Sequence, residues 1–271
     1  MGQNMYLELY GLKNSPFNIT ADPEFYFEGS SHREAFAALM YGIKERKGII
    51  LITGEVGLGK TTLCKVLLEK LPNQIKTSLI LNPYFSEVQL LEAIVGDFGL
   101  KLAKKTRLDV INKLNSFLVE SSLAGGNAVL IIDEAQNLTA RQLEQIRLLS
   151  NIETAKEKLL QIVLVGQPEL SEKLKQPHLR QIRQRIFVKY NLTPLKEEEL
   201  KGYVEHRLAK AGKSDLVISP ESYRIIYEFS AGTPRLINML CDRALLCSFA
   251  RESKVLDETI FNECVAELKL P

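Results

Sequence analysis

Residues 54–61 read GEVGLGKT and fit the pattern G-x-x-x-x-G-K-[ST] at every fixed position. They lie between the apolar run GIILIT (Gly48 to Thr53) and the apolar helical pattern TLCKVLLEKL (Thr62 to Leu71). A buried strand, a glycine-rich turn and a helix in that order form a phosphate-binding loop. Gly54, Gly57 and Gly59 let the backbone curl until successive N–H groups face phosphate oxygens, and the helix that opens near Lys60 adds the positive end of its dipole. The expected cradle is therefore Gly54, Glu55, Val56, Gly57, Leu58, Gly59, Lys60 and Thr61, with Thr62 following. Lys60 is expected to reach the β- and γ-phosphates, and the Thr61 hydroxyl to bind Mg²⁺. Nucleotide binding is the first expectation.

A loop of this kind needs a parallel sheet beneath it, and the rest of the chain supplies one. The segments IILIT, SLILN (Ser78 to Asn82), AVLIID (Ala128 to Asp133) and LLQIVLVG (Leu159 to Gly166) read as buried strands. They alternate with helical patterns over Thr62–Leu71, Ser86–Phe98, Leu108–Ala124 and Ala140–Asn151, which predicts an α/β fold with helices on both faces of the sheet. Ahead of them lies an irregular aromatic arm, then a helix expected to be capped by Ser31 with Glu34 as its reciprocal partner. After Thr193 and Pro194 only helical patterns remain, several closed by glycines such as Gly212 and Gly232. The expected division is a nucleotide-binding core over 1–193, arm included, and a small helical domain over 194–271.

Composition excludes several other classes. At 271 residues, 45% hydrophobic and 25% charged, the chain reads as an ordinary globular protein. Lys and Arg number 35 against 33 Asp and Glu, a net charge of +2, so there is no general electrostatic case for nucleic acid or an acidic membrane. No apolar run approaches bilayer-spanning length. Cys64, Cys241, Cys247 and Cys264 form no C-x-x-C pair and read as reduced thiols, and with no signal sequence the expected compartment is the cytoplasm.

The second chemical motif is AVLIIDEAQ, an apolar strand ending in Asp133 and Glu134. Asp133 at the carboxyl end of a strand beside the phosphate loop is expected to hold Mg²⁺, and Glu134 to polarise a water for in-line attack on the γ-phosphate. Together the two motifs predict a Mg²⁺-dependent ATPase.

Taken in order, the Walker pair, the further strand, the Arg-rich segment and the helical tail resemble the AAA+ ATPases, a P-loop NTPase fold. The resemblance implies roles for further residues. Gln167 in LVGQPEL stands where a sensor contacts the γ-phosphate or attacking water, although Asn, Thr or Ser is usual there. In HLRQIRQRIFVKY, Arg185 best matches an arginine finger supplied by a neighbouring subunit, with Arg183 second; Arg180 belongs to the same cluster. Arg235 in AGTPRLIN matches a lid arginine that bends back onto the phosphates. Phe17, Ile19 and His32 are adenine-pocket candidates.

A closer resemblance, carried by YGLKNSPFNITADPEFYFEGSSHREAFAALMYGIKERKGIILITGEVGLGKTT, AVLIIDEAQNL, VLVGQPEL, LRQIRQRI and SAGTPRLIN, is to the ExeA/GspA family of AAA+ secretion ATPases. It implies nucleotide-dependent self-association and a secretion-apparatus or inner-membrane partner at the cytoplasmic face. The longer members carry a transmembrane helix and a peptidoglycan-binding domain after the ATPase, and this chain is expected to be either such a module or a short stand-alone member. Two other readings stay open. One is a DNA-associated ATPase of the transposition-regulator type, kept alive by the basic stretch Arg180 to Lys189; the other is a nucleotide-gated switch that hydrolyses slowly, against which Glu134 argues.

Overall fold

The computed structural model describes residues 5–102, 106–212 and 216–268. Its contacts divide the chain into two compact units, one made of His32–Val56 and Leu63–Leu192, the other of the described parts of Met1–Ser31, Gly57–Thr62 and Thr193–Pro271.

The first unit is built on five parallel strands, β1 (Ile49–Gly54), β2 (Ile75–Ile80), β3 (Asn127–Ile132), β4 (Leu160–Gly166) and β5 (Ile186–Leu192), in the spatial order β2-β3-β4-β1-β5. β1, β3 and β4 are buried along their whole length, which is why they read as uninterrupted apolar runs. One sheet face, with Leu51, Leu130 and Ile162, packs on α4 (Glu87–Asp97), α5 (Arg107–Leu123), α6 (Ala140–Leu149), α7 (Pro168–Leu174) and α8 (Arg180–Arg183). The opposite face is equally buried at Ile50, Val129 and Val163. Here α2 (Ser30–Lys44) lies so close that a Cβ on Gly42 would meet Ile50 Cδ1 at 2.5 Å. The α/β expectation, helices on both faces, is met.

Three local expectations are corrected. β2 starts at Ile75, three residues before the predicted Ser78, and β5 was not foreseen. Both are edge strands whose outward residues are partly exposed, so their sequences, IKTSLI and IFVKYNL, lack a continuous apolar signal. Ser31 is not the helix cap: α2 opens at Ser30, and the Ser31 hydroxyl accepts from Thr193 N–H at 2.9 Å.

The second unit holds α1 (Met5–Tyr10) and the helices α9 (Glu197–Ala211), α10 (Pro220–Ser230), α11 (Pro234–Ala250) and α12 (Glu258–Leu268). Two-residue strands β6 (Val217–Ile218) and β7 (Val255–Leu256) pair in parallel between the helices. Tyr10, Phe17 and Phe25 of the aromatic arm share one apolar core with Leu200, Ile237 and Phe261. Arg207, buried in this unit, donates to the carbonyls of Pro16 and Asn18 and stacks over Phe25, so the arm's loop carbonyls gain partners that the core would otherwise deny them. α3 (Lys60–Lys70) opens with Lys60–Thr62 in this unit and continues in the first.

Candidate active site

Parallel strands bring every β-to-α loop to the same carboxyl edge of the sheet, and ligands of open α/β sheets bind there, where strand order reverses. β1 ends in Gly54 and runs into the phosphate loop; β4 is its direct neighbour and ends in Gly166–Gln167; β3 lies one strand further and ends in Asp133–Glu134. Two strand spacings, about 10 Å, therefore separate the end of β1 from the end of β3. The cross-strand levels are Leu51, Leu164 and Ile132, so Asp133 leaves β3 just beyond a fully paired row.

The loop adopts the curled conformation that its glycines predict. Gly57 and Gly59 have φ of +84° and +85°, a region in which a side chain is strained. Leu58 points into the interior, and Lys60 is buried at the first position of α3 with Thr61 beside it in the same turn. Arg235 lies at the start of α11, behind Pro234, and its N–H donates to Gly57 O at 3.2 Å. A Cβ on Gly57 would come within 2.7 Å of Arg235 Cβ, so the loop glycine is what permits this approach. The arginine placed on the phosphates by resemblance does reach the phosphate loop through its backbone, and its side chain is exposed.

At the end of β3, Asp133 is 1% exposed and its Oδ1 accepts from Glu134 N–H at 2.9 Å. Glu134 is left-handed, φ +51° and ψ +36°, a costly state for a residue with a side chain. Its Oε2 accepts from Gln167 Nε2 at 3.3 Å and from Gln136 Nε2. Gln167 is the N-cap of α7, yet its side chain makes no cap bond and turns to Glu134 instead. The predicted base and the predicted sensor are thus in contact. Gln136 had no assigned role in the sequence; its only signal was its place two residues after Glu134.

The arginines lie elsewhere. Arg183 Nη1 donates to Lys175 O at 3.1 Å, while the charge of Arg185 helps to hold the Glu153 carboxyl low, after the larger effect of Lys158. Arg185 immediately precedes β5, whose first residue pairs with Ile49 at the start of β1. It is therefore at the amino edge of the sheet, a strand length of roughly 20 Å from the carboxyl edge of its own subunit. Phe17 and His32 are buried and Ile19 is exposed.

Residues 43–174 match the model of the AAA domain family. General secretion pathway protein A of Aeromonas hydrophila is 43% identical over 250 residues, 92% of this chain and 46% of the relative. Residues 43–174 are an AAA domain, and the chain is similar to general secretion pathway protein A. It spans about half the length of that curated relative. Among solved structures, the Aeropyrum pernix ORC2 protein in its ADPNP-ADP complexes superposes with a TM-score of 0.67 at 19% identity, over 88% of this chain and 67% of that one. ORC from Drosophila bound to DNA gives 0.66 at 19% identity, over 89% and 60%. A Thermotoga maritima RuvB mutant gives 0.61 at 19% identity, over 89% and 71%. These distant likenesses bear out the fold, an AAA-type parallel sheet with a helical C-terminal region. Among the described residues no helix is long and apolar enough to cross a membrane.

Proposed function

We propose that this chain binds ATP with Mg²⁺ and hydrolyses it to drive assembly or remodelling of a secretion apparatus, acting in the cytoplasm or at the cytoplasmic face of the inner membrane. The observation that carries the catalytic part is the Glu134 carboxylate, held by Gln167 at the sheet edge where the phosphate loop begins. In this reading the N–H groups of Gly54–Gly59 and the dipole of α3 bind the phosphates, and Lys60 reaches the β- and γ-oxygens. Glu134 accepts the proton of the attacking water, Gln167 orients that water or the γ-phosphate, and Arg235 reports the bound phosphates to α11.

The residues present fit the metal. Mg²⁺ keeps several waters and takes one or two protein oxygens plus phosphate oxygens, so it needs no cluster of protein ligands. None of three or more His, Cys, Asp or Glu occurs among the described residues. Thr61 and Asp133 are the hydroxyl and carboxylate that would hold it. When bound, the ion neutralises charge on the β- and γ-phosphate oxygens.

The lid is assigned to 194–271 and the nucleotide-binding core to 1–193, with the arm at the start of the latter packing its rings among the lid helices. The secretion part of the reading is supported by the 43% identity to general secretion pathway protein A. The catalytic test is a pair of variants. Glu134→Gln is expected to keep nucleotide affinity and to lower kcat by about a hundredfold or more, whereas Lys60→Ala weakens binding itself. Undiminished turnover by Glu134→Gln overturns the assignment.

A further inference from the structure

The end of β3 holds its glutamate with more machinery than the proposed reaction has used so far. Two side-chain amides, those of Gln136 and Gln167, converge on one oxygen of Glu134, Oε2. Among the described residues the other oxygen, Oε1, accepts no hydrogen bond. The orientation of the Gln136 amide is fixed by its surroundings. Its Oε1 accepts from Gln167 N–H at 3.1 Å, which leaves its NH₂ group to face the carboxylate.

The backbone beneath this amide is also anchored. Lys173 Nζ donates to the carbonyls of Gln136 and Leu138, which holds the turn that follows Glu134. Gly166, the last residue of β4, leaves the amide its room: a Cβ there would sit 2.8 Å from Gln136 Oε1 and 3.3 Å from Gln136 N. A glutamate in a left-handed conformation persists only when its surroundings over-determine it. Here the surroundings are Gln136, Gln167 and the Asp133 carboxylate.

We propose that Gln136 is a positioning residue for the hydrolytic base: locked by Gln167 N–H, it grips Glu134 Oε2 and so presents Oε1 to the attacking water. The inference rests on the reading above in which Glu134 is that base. A catalytic group misplaced by about 1 Å can lose a hundredfold in rate, so a clamp on its second oxygen is worth a measurable part of kcat.

The test compares Gln136→Ala with Gln136→Met, which restores the bulk of the side chain but not its donor. ATP turnover, KM, affinity for a fluorescent ATP analogue and melting temperature are measured on the full chain. Both variants are expected to lose about tenfold in kcat with KM and analogue affinity within about twofold of the parent. Gly166→Ala, which displaces the amide sterically, is expected to share that profile. In a Glu134→Gln background, Gln136→Met is expected to add no further loss, because the group it positions is gone. Parental kcat in Gln136→Met overturns the proposal and leaves Gln136 a space-filling residue. So does a loss spread equally over kcat, analogue affinity and melting temperature. If Glu134→Gln itself turns over normally, the base assignment has failed; if Glu134→Gln is inactive while both Gln136 variants are parental, only the positioning role has.

Discussion

At the residue scale the chain places unusual backbone and burial where side-chain chemistry is concentrated. Glu134 is one case, and His206 on α9 is another of a different kind. Its ring meets the edge of Phe27 at 5.7 Å, and its Nε2 is buried with no hydrogen-bond partner. Burial first, then Lys210 and Arg207, hold its pKa below the ordinary 6.5, against the opposing pull of a hydrogen bond to the Tyr26 backbone. The unfolded chain therefore binds this proton more readily than the folded one. The stabilisation is complete above the unfolded value and is lost as pH falls through it toward the folded one. His206→Gln is expected to lose less melting temperature than the parent when pH is lowered from about 7.5 to about 5.5, as thermal denaturation at several pH values will show. The Cys264 thiol is pushed up to about 12, chiefly by burial; the four cysteines, read from spacing as reduced thiols, form no disulfide. The sequence marked Glu134 by its place after an apolar strand beside the phosphate loop, and Gln167 only through the resemblance to the AAA+ ATPases. It did not mark Gln136, since an amide two residues from a carboxylate means nothing until the turn between them is known.

At the element scale, several helix ends were legible from local signals, the start of α2 excepted. α4 and α6 open with capping boxes, Ser86 with Gln89 and Thr139 with Gln142, each satisfying otherwise unpaired N–H groups. α9 stops at Gly212 and α10 stops at Ala231–Gly232, both of which take positive φ. Gly232 has a tertiary reason beyond its turn. Its carbonyl accepts from Leu195 N–H at 2.9 Å, and a Cβ would fall 2.0 Å from Leu195 O. Gly232→Ala is expected to destabilise by roughly 1–3 kcal/mol from backbone strain alone, and more if the α9 entry must shift. That corresponds to a drop in melting temperature of about 2–4 °C per kcal/mol. A melting curve indistinguishable from the parent contradicts the close approach. The strands of the main sheet that escaped notice, β5 and the first half of β2, are those whose outward residues meet water. An edge strand alternates, and a short alternating stretch of mixed residues is a weak signal.

At the scale of the whole molecule, the position of Arg185 is the informative one. Because it precedes β5 at the amino edge of the sheet, its backbone lies about a strand length from the edge where the phosphate loop of the same chain begins. A finger placed there acts on a neighbouring copy if it acts at all. Two outcomes are expected from that geometry: sedimentation of the full chain shows larger species with a non-hydrolysable ATP analogue than with ADP, and Arg185→Ala mixed with Glu134→Gln regains activity that neither has alone. Assembly that occurs only when duplex DNA is added would instead favour the DNA-associated reading. The sequence by itself determined the phosphate loop, the acidic pair, the parallel sheet and the helical tail, because glycine patterns, uninterrupted apolar strands and helix caps are local and each residue type there has one dominant physical use. Only the tertiary structure decided that Gln136 and Gln167 share one oxygen of Glu134, that Arg235 reaches Gly57, that the aromatic arm packs with the helices of 193–268, and that Arg185 stands at the amino edge of the sheet. Those facts depend on strand order and on register between residues far apart in the chain, which no local pattern encodes.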